Sequence, residues 1–547
     1  MVEEREIEFN LLDEPWIIAR TRSNETKKLS LLEVFQQAHE IQALAGELPT
    51  QDIAIMRLLL AVMHAAFIDS RVEDNEDAID CWLELWEMKE FPFDIIRDYL
   101  EQYRDRFWLF HPTQPFYQSA HIVENMARYK SGKRKKVSEE IKWKTVARLV
   151  GDLFQSDNAM RLFPGRTGSC QESISYDEAA RWLLHLNAFD DDSAKNPTPK
   201  GVGYLGQLGL VYIKGANLFE TLMLNFVLVD HLDEVYDDNK EESKAYWEKE
   251  PVCETIERLI AQPRAQKELL TMQSRRILLR RENGRIIGYL LTMGDYFEKG
   301  ASLLNETMTT WKIDADDIIP KKHQLEYQMW RDFSTLLGMS TAANVMKPGV
   351  VHWFQHIKRK MPDLQRVELI VTGASYSLKG AGWQIVDYVY DDLSVNASLL
   401  DEMNETWIDS IIKVLDKTKE AVKELGKLSR NISDASGDGD ENRQNKKAKN
   451  ACEMGYSHLD SLFRNWLLSV DPQKDTLAAK MVEWLELSKA KILMLGREMI
   501  GQCAETSIVG RIKKDKNNKD KKISALEAYR YFQLNIYEIL GRGESYE

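Results

Sequence analysis

Cysteine is scarce and scattered in this 547-residue chain: Cys81, Cys170, Cys253, Cys452 and Cys503 form no C-x-x-C pair. That spacing argues against a zinc ribbon and a disulfide framework and reads as reduced core thiols. No run of about 18 uncharged apolar residues occurs, and the opening Met-Val-Glu-Glu-Arg-Glu lacks an apolar signal stretch. The expectation is a cytoplasmic protein that neither crosses nor lines a membrane. Excess positive charge is missing too. A formal net charge of −14 is the wrong sign for a surface that binds phosphate everywhere, because such binding rests on Lys and Arg releasing counterions. Any nucleic acid must be held by local patches. Nor does the sequence contain G-x-x-x-x-G-K-[ST], G-x-S-x-G or H-E-x-x-H, so phosphate-cradling, serine-nucleophile and zincin chemistries have no footing. Its many carboxylates bracket no local acid–base pair. The chain reads as a binding protein, not an enzyme.

What is present is enough apolar mass, 44% of residues, for two or three cored domains. Two basic patches stand against the acidic background, Arg128 to Lys136 (RYKSGKRKK) and Arg511 to Lys522 (RIKKDKNNKDKK). Each reads as a solvated loop or as a contact to a phosphate backbone. Strand, turn and helix signals open the chain between Ile7 and Ile18, then at Leu29 to Ala38 and Ile53 to Ile68. Helices are expected around Cys81 to Trp86 and Tyr176 to Leu186. Glu282-Asn283-Gly284-Arg285 between two apolar runs predicts a two-residue hairpin. Val367 to Thr372 and Trp383 to Tyr390 read as strands joined by a long, mobile connection, Gly373 to Gly382. Beyond about residue 395, four proline-free segments of helical period, Leu399 to Asn431, Ala451 to Leu468, Gln473 to Cys503 and Ile523 to Leu540, predict a four-helix bundle. The polar stretch Ser433 to Lys449 reads as disordered. The fold class is therefore α+β: a mixed domain over 1–394 with small antiparallel sheets and many helices, then a bundle over 395–547.

Two features invite chemistry. Lys200 to Gly209 (KGVGYLGQLG) packs four glycines into a short loop, suiting either tight turns or close approach of a nucleic-acid backbone. His352 and His356 lie four residues apart, on one face of a helix. They are the best metal candidate in the chain, yet Trp353 stands where a zincin has its glutamate, and Lys358, Arg359 and Lys360 follow. An amphipathic helix with a basic end explains them as well, and no metal or other cofactor is expected.

Phe9 to Ile17 (FNLLDEPWI) resembles the opening of the CasA family, the large subunit of type I-E CRISPR Cascade complexes. His111 to Gln118 (HPTQPFYQ), Leu205 to Asn225 and Gln273 to Ile277 (QSRRI) resemble further family segments in the same order. The resemblance implies a non-catalytic subunit that reads a short PAM in double-stranded target DNA and starts its unwinding for guide RNA pairing. It implies Lys200, Gly201 and Gly203 in a DNA-contacting glycine loop, and Lys379, Gly380, Ala381, Gly382 and Trp383 in a wedge whose tip departs from the Asn-Gln-Ala-like pattern of other members. Trp383 reads equally as a core residue at a strand start. A loop with Arg161, Leu162, Phe163 and Arg166 would meet the guide RNA 5′ handle or dock on neighbouring subunits. Lys513, Lys514 and Lys516 would meet the displaced strand. Implied partners are the Cascade backbone and small subunits and a helicase-nuclease effector of antiviral defence. The cysteine-bound metal of some members is not expected, because the clustered cysteines are missing. Two other readings compete: a metal-dependent hydrolase centred on the histidine pair, and an acidic helical scaffold.

Overall fold

Pro49 at the first helical position and an apolar run broken only by Arg57 and His64 build helix α1 (Pro49–Phe67). By length and hydropathy α1 is the helix among the described residues that fits a membrane span, but 83% of its apolar window is buried inside the protein. It is the core helix of the larger of two units. The computed structural model describes residues 7–68, 72–124, 143–151, 165–191, 201–251, 263–298, 300–314, 317–337, 344–379, 382–514 and 520–541. The larger unit comprises Met1–Leu325, Ala342–Lys360 and Glu368–Asp392. The second comprises Glu326–Thr341, Met361–Val367 and Leu393–Glu547, so it takes in two short segments that precede residue 395.

In the larger unit, α1 packs against helix α2 (Tyr176–Phe189), which buries Trp182, Leu183, Leu186 and Phe189. Small antiparallel sheets surround this pair. Strand β1 (Leu210–Lys214) is the inner partner of a long ribbon described below. Strands β2 (Arg275–Glu282) and β3 (Arg285–Met293) form the expected hairpin, with Glu282 opposite Arg285 and both turn residues in the left-handed region, Asn283 at φ 50° and Gly284 at φ 72°. The family-like motifs are core clamps. Trp16 is fully buried and donates Nε1 to the Leu11 carbonyl at 3.0 Å, while Gln118 accepts the Leu279 amide of β2 at 2.9 Å and donates to the Leu109 carbonyl at 2.7 Å. Helix α3 (Gly349–Lys358) buries Val350, Val351, Trp353, Phe354 and Ile357.

The connection expected to be long and mobile is not one. Strand β4 (Arg366–Lys379) runs through it, strand β5 (Gly382–Asn396) returns, and only residues 380 and 381 lie between them, outside the described residues. The order is β5-β4-β1, and β1 pairs only with Glu368 to Thr372 of β4. The distal part of the ribbon therefore projects past its third strand, with β5 as an edge. On that edge Asp387 Oδ1 accepts the Tyr388 amide at 2.8 Å and Asp391 Oδ1 the Asp392 amide at 2.9 Å.

In the second unit the four expected helices appear: α4 (Glu405–Ala435), α5 (Glu441–Ser469), α6 (Leu477–Gly501) and α7 (Ala525–Leu540). Apolar residues of α4 recur at helical spacing, Trp407, Ile411, Val414, Leu415, Val422 and Leu425, and all are buried. Each such aliphatic side chain contributes roughly 1.5–3 kcal/mol on leaving water. They meet Phe463, Trp466, Trp484, Ile492, Phe532 and Ile536 from the other helices. Trp484 donates Nε1 to Thr418 Oγ1 at 3.0 Å. The segment expected to be disordered is mostly helix. α4 runs to Ala435 and α5 starts at Glu441, capped by Asp440, whose carboxylate accepts the Arg443 amide at 3.1 Å. Between α6 and α7, strands β6 (Arg511–Lys514) and β7 (Asp520–Ile523) pair antiparallel.

Candidate nucleic-acid interface

The glycine loop leaves the end of α2 and is fastened by Arg275. This side chain is fully buried. Its Nε donates to Asp190 Oδ2 at 2.5 Å, and its fork reaches the carbonyls of Ser274 at 2.9 Å and Gly201 at 2.7 Å. Ser274 Oγ donates to the Asn187 carbonyl, and Asn187 Oδ1 accepts the Arg275 amide at 3.0 Å. The QSRRI segment is thus a clip joining β2, α2 and the loop. Beneath it lies a second buried ion pair, Arg57 with Glu306. Nη1 to Oε1 is 2.8 Å and Nη2 to Oε2 3.0 Å, and Tyr204 of the loop donates its hydroxyl to Oε2 at 2.8 Å.

The two proposed DNA-contacting glycines differ in surroundings. A Cβ on Gly203 would lie 2.3 Å from the Ala188 carbonyl oxygen, so this residue is glycine because α2 passes against it. A Cβ on Gly201 would meet nothing within 4 Å. Nothing in the protein's own packing there requires glycine, and its outer side is open. Gly203→Ala is therefore expected to cost about 1–3 kcal/mol through forced backbone shifts, and Gly201→Ala less than about 0.5 kcal/mol. Urea denaturation of the two variants checks the contrast, and equal losses would contradict it.

The ribbon joins the loop through Tyr376 of β4. Its hydroxyl donates to the Phe189 carbonyl at 2.6 Å, and its ring lies against Gly206. Lys322, exposed at the same place, donates to the Gly206 carbonyl at 3.2 Å. Trp383 is 48% exposed near the start of β5, and Leu378 is 61% exposed on β4. The core reading of Trp383 is thereby set aside. Glycine loop and ribbon, far apart in sequence, thus meet at Tyr376 on the end of α2. Lys200, Gly380 and Ala381 lie outside the described residues, and Lys379 is described by its backbone as the last residue of β4.

The remaining sequence candidates are placed unequally. Arg161, Leu162, Phe163, Lys516 and the whole Arg128 to Lys136 run lie outside the described residues. Arg166 pairs with Glu178 of α2. Lys513, with Arg511 beside it, is bonded to Asp434 of α4, at 3.0 Å for Lys513. Burial would raise the Asp434 pKa, but the bonds from Lys513 and Arg511 outweigh it and hold the carboxyl below its usual range. Lys514 ends β6 opposite Asp520. The opposite face of this hairpin shows exposed Ile512 and Lys522. Sequence reasoning missed Arg275, Asp190, Tyr376 and Lys322. Arg275 was visible only as part of a motif, with no sign of its partners 74 to 85 residues away.

Comparison with known proteins follows the same lines. The family model described as CRISPR-associated protein Cse1 matches residues 10–495. The CRISPR-associated protein CasA/Cse1 of Thermus thermophilus is 30% identical over 344 residues, a match spanning 60% of this chain and 60% of that protein. The crystal structure of Thermobifida fusca Cse1 superposes with a TM-score of 0.79 at 28% identity, covering 98% of each chain. A chain of a CRISPR RNA-guided surveillance complex shares the fold, with a TM-score of 0.72 at 16% identity over 97% of this chain and 99% of that one.

Proposed function

The chain belongs to the CRISPR-associated Cse1 family, and on that premise we propose that it is the non-catalytic large subunit of a type I-E surveillance complex that reads the PAM of duplex DNA. The observation that carries this reading is the open, clamped backbone at Gly201 beside a projecting ribbon with exposed Trp383. A rigid loop without a side chain lets a nucleic-acid backbone approach closely. An exposed aromatic near a ribbon tip is suited to stacking on an opened base, at an unstacking cost of a few kcal/mol. Lys322 places a lysine beside the loop in a chain whose net charge is −14. Base pairing with guide RNA then reads the remaining sequence. A chain of this fold in a CRISPR RNA-guided surveillance complex supports placement among backbone and small subunits, with the guide RNA 5′ handle and a helicase-nuclease as further partners.

The test is selection from duplexes randomised beside the target, by the reconstituted guide complex with and without this chain, at two salt concentrations. A short motif enriched only with the chain present, and lost with Trp383→Ala and Gly201→Asp, is the expected result. Equal enrichment in both complexes would overturn the reading.

A further inference from the structure

Away from that surface, the histidine pair acquires a partner invisible in sequence. His352 and His356 project from one face of α3 toward Asp233, in a tight turn between Val229 and Val235, which form an isolated antiparallel bridge. Asp233 Oδ1 lies 3.0 Å from His352 Nε2 and 3.1 Å from His356 Nε2, and the two nitrogens are 3.3 Å apart. His231 lies beside His352, with ring centroids 5.0 Å apart and the rings tilted by 31°, but its nitrogens fall outside the triangle. Its Nε2 is buried without a hydrogen-bond partner, and a hydrogen bond to the Lys347 backbone engages the ring's other nitrogen.

We propose that Asp233, His352 and His356 hold a divalent transition-metal ion of the zinc class, with the fourth position open to solvent. The triangle has the right size. Four ligands about 2.0–2.1 Å from a tetrahedral zinc sit about 3.3 Å from one another, against 3.0, 3.1 and 3.3 Å here. As hydrogen bonds the same triangle is frustrated. The carboxylate oxygen can accept from both nitrogens, but a nitrogen that donates to Asp233 has no lone pair there for its neighbour, so the 3.3 Å contact between the two Nε2 atoms goes unsatisfied. A metal resolves this, because it takes a lone pair from every corner.

Asp233 holds φ 62°, a left-handed conformation that Gly or Asn adopts more readily. Its carboxylate is 49% exposed, giving an ion a path in. Lys347 opposes a cation here, although its ammonium donates to Gln355 Oε1. The acid and the imidazoles come from segments about 120 residues apart, so the ion would staple this turn to α3. The proposal is independent of the nucleic-acid reading.

The test is zinc titration of the tag-free full chain by calorimetry, repeated with cobalt to read geometry from the visible spectrum. One ion per chain, with the intense bands of tetrahedral cobalt and uptake that falls as pH drops, is expected. Uptake should be lost in His352→Gln, His356→Gln and Asp233→Gly. Asp233→Gly relieves the positive φ and should fold at least as well as the parent, which separates loss of ligand from loss of structure. No stoichiometric uptake, or uptake that survives these substitutions, would overturn the site.

Discussion

Replacing Glu306 by alanine is expected to destabilise the larger unit by about 3–5 kcal/mol, because it strands the Arg57 guanidinium in the core. Both side chains are almost wholly out of water, and they meet through two parallel bonds of 2.8 and 3.0 Å. The same substitution orphans the Tyr204 hydroxyl and the Met308 amide, which also bond this carboxylate. A shift of the urea midpoint at unchanged slope measures the loss. Removing both charges with Arg57→Met and Glu306→Leu is expected to recover most of it, since an apolar pair of similar volume is often neutral. A loss below about 1 kcal/mol in Glu306→Ala would mean that water reaches Arg57.

The second large effect joins stability to the proposed interface. Arg275→Ala should cost about 3–5 kcal/mol, for it takes the guanidinium away from the buried Asp190 carboxylate. It also removes the donor that holds the Gly201 carbonyl. Amide hydrogen exchange should rise across residues 201 to 209 more than in the bundle. Arg275→Lys keeps the charge without the planar fork, so it should fall between the parent and alanine. If exchange in the loop matched the parent, Arg275 would be a core ion only, and the loop would owe its shape to Gly203 and Tyr376.

How much of this was legible follows from where each signal resides. The bundle could be read because α4 repeats its apolar positions at helical spacing, and the β2–β3 turn because Asn-Gly suits two left-handed residues. Local composition misled in two places. Gly373 to Gly382 is poor in strand formers, yet β4 continues because β5 runs beside it and Tyr376 anchors it on α2, a tertiary override of propensity. Ser433 to Lys449 is polar, but Glu, Gln, Lys and Ala are good helix formers and Asp440 caps them. The sites were half legible. The histidine spacing was plain in sequence, but Asp233 lies 119 residues from His352, and no periodicity announces a contact at that distance. The glycine loop was visible as composition, while the division of labour between Gly201 and Gly203 depends on where α2 passes.

The edge of the ribbon has a consequence for the chain outside any assembly. An edge strand with exposed Trp383, Val386 and Tyr390 is a template on which another chain can add a strand, the usual start of aggregation. Asp387, Asp391 and Asp392 counter this by placing three negative charges within six residues, so two copies brought edge to edge repel.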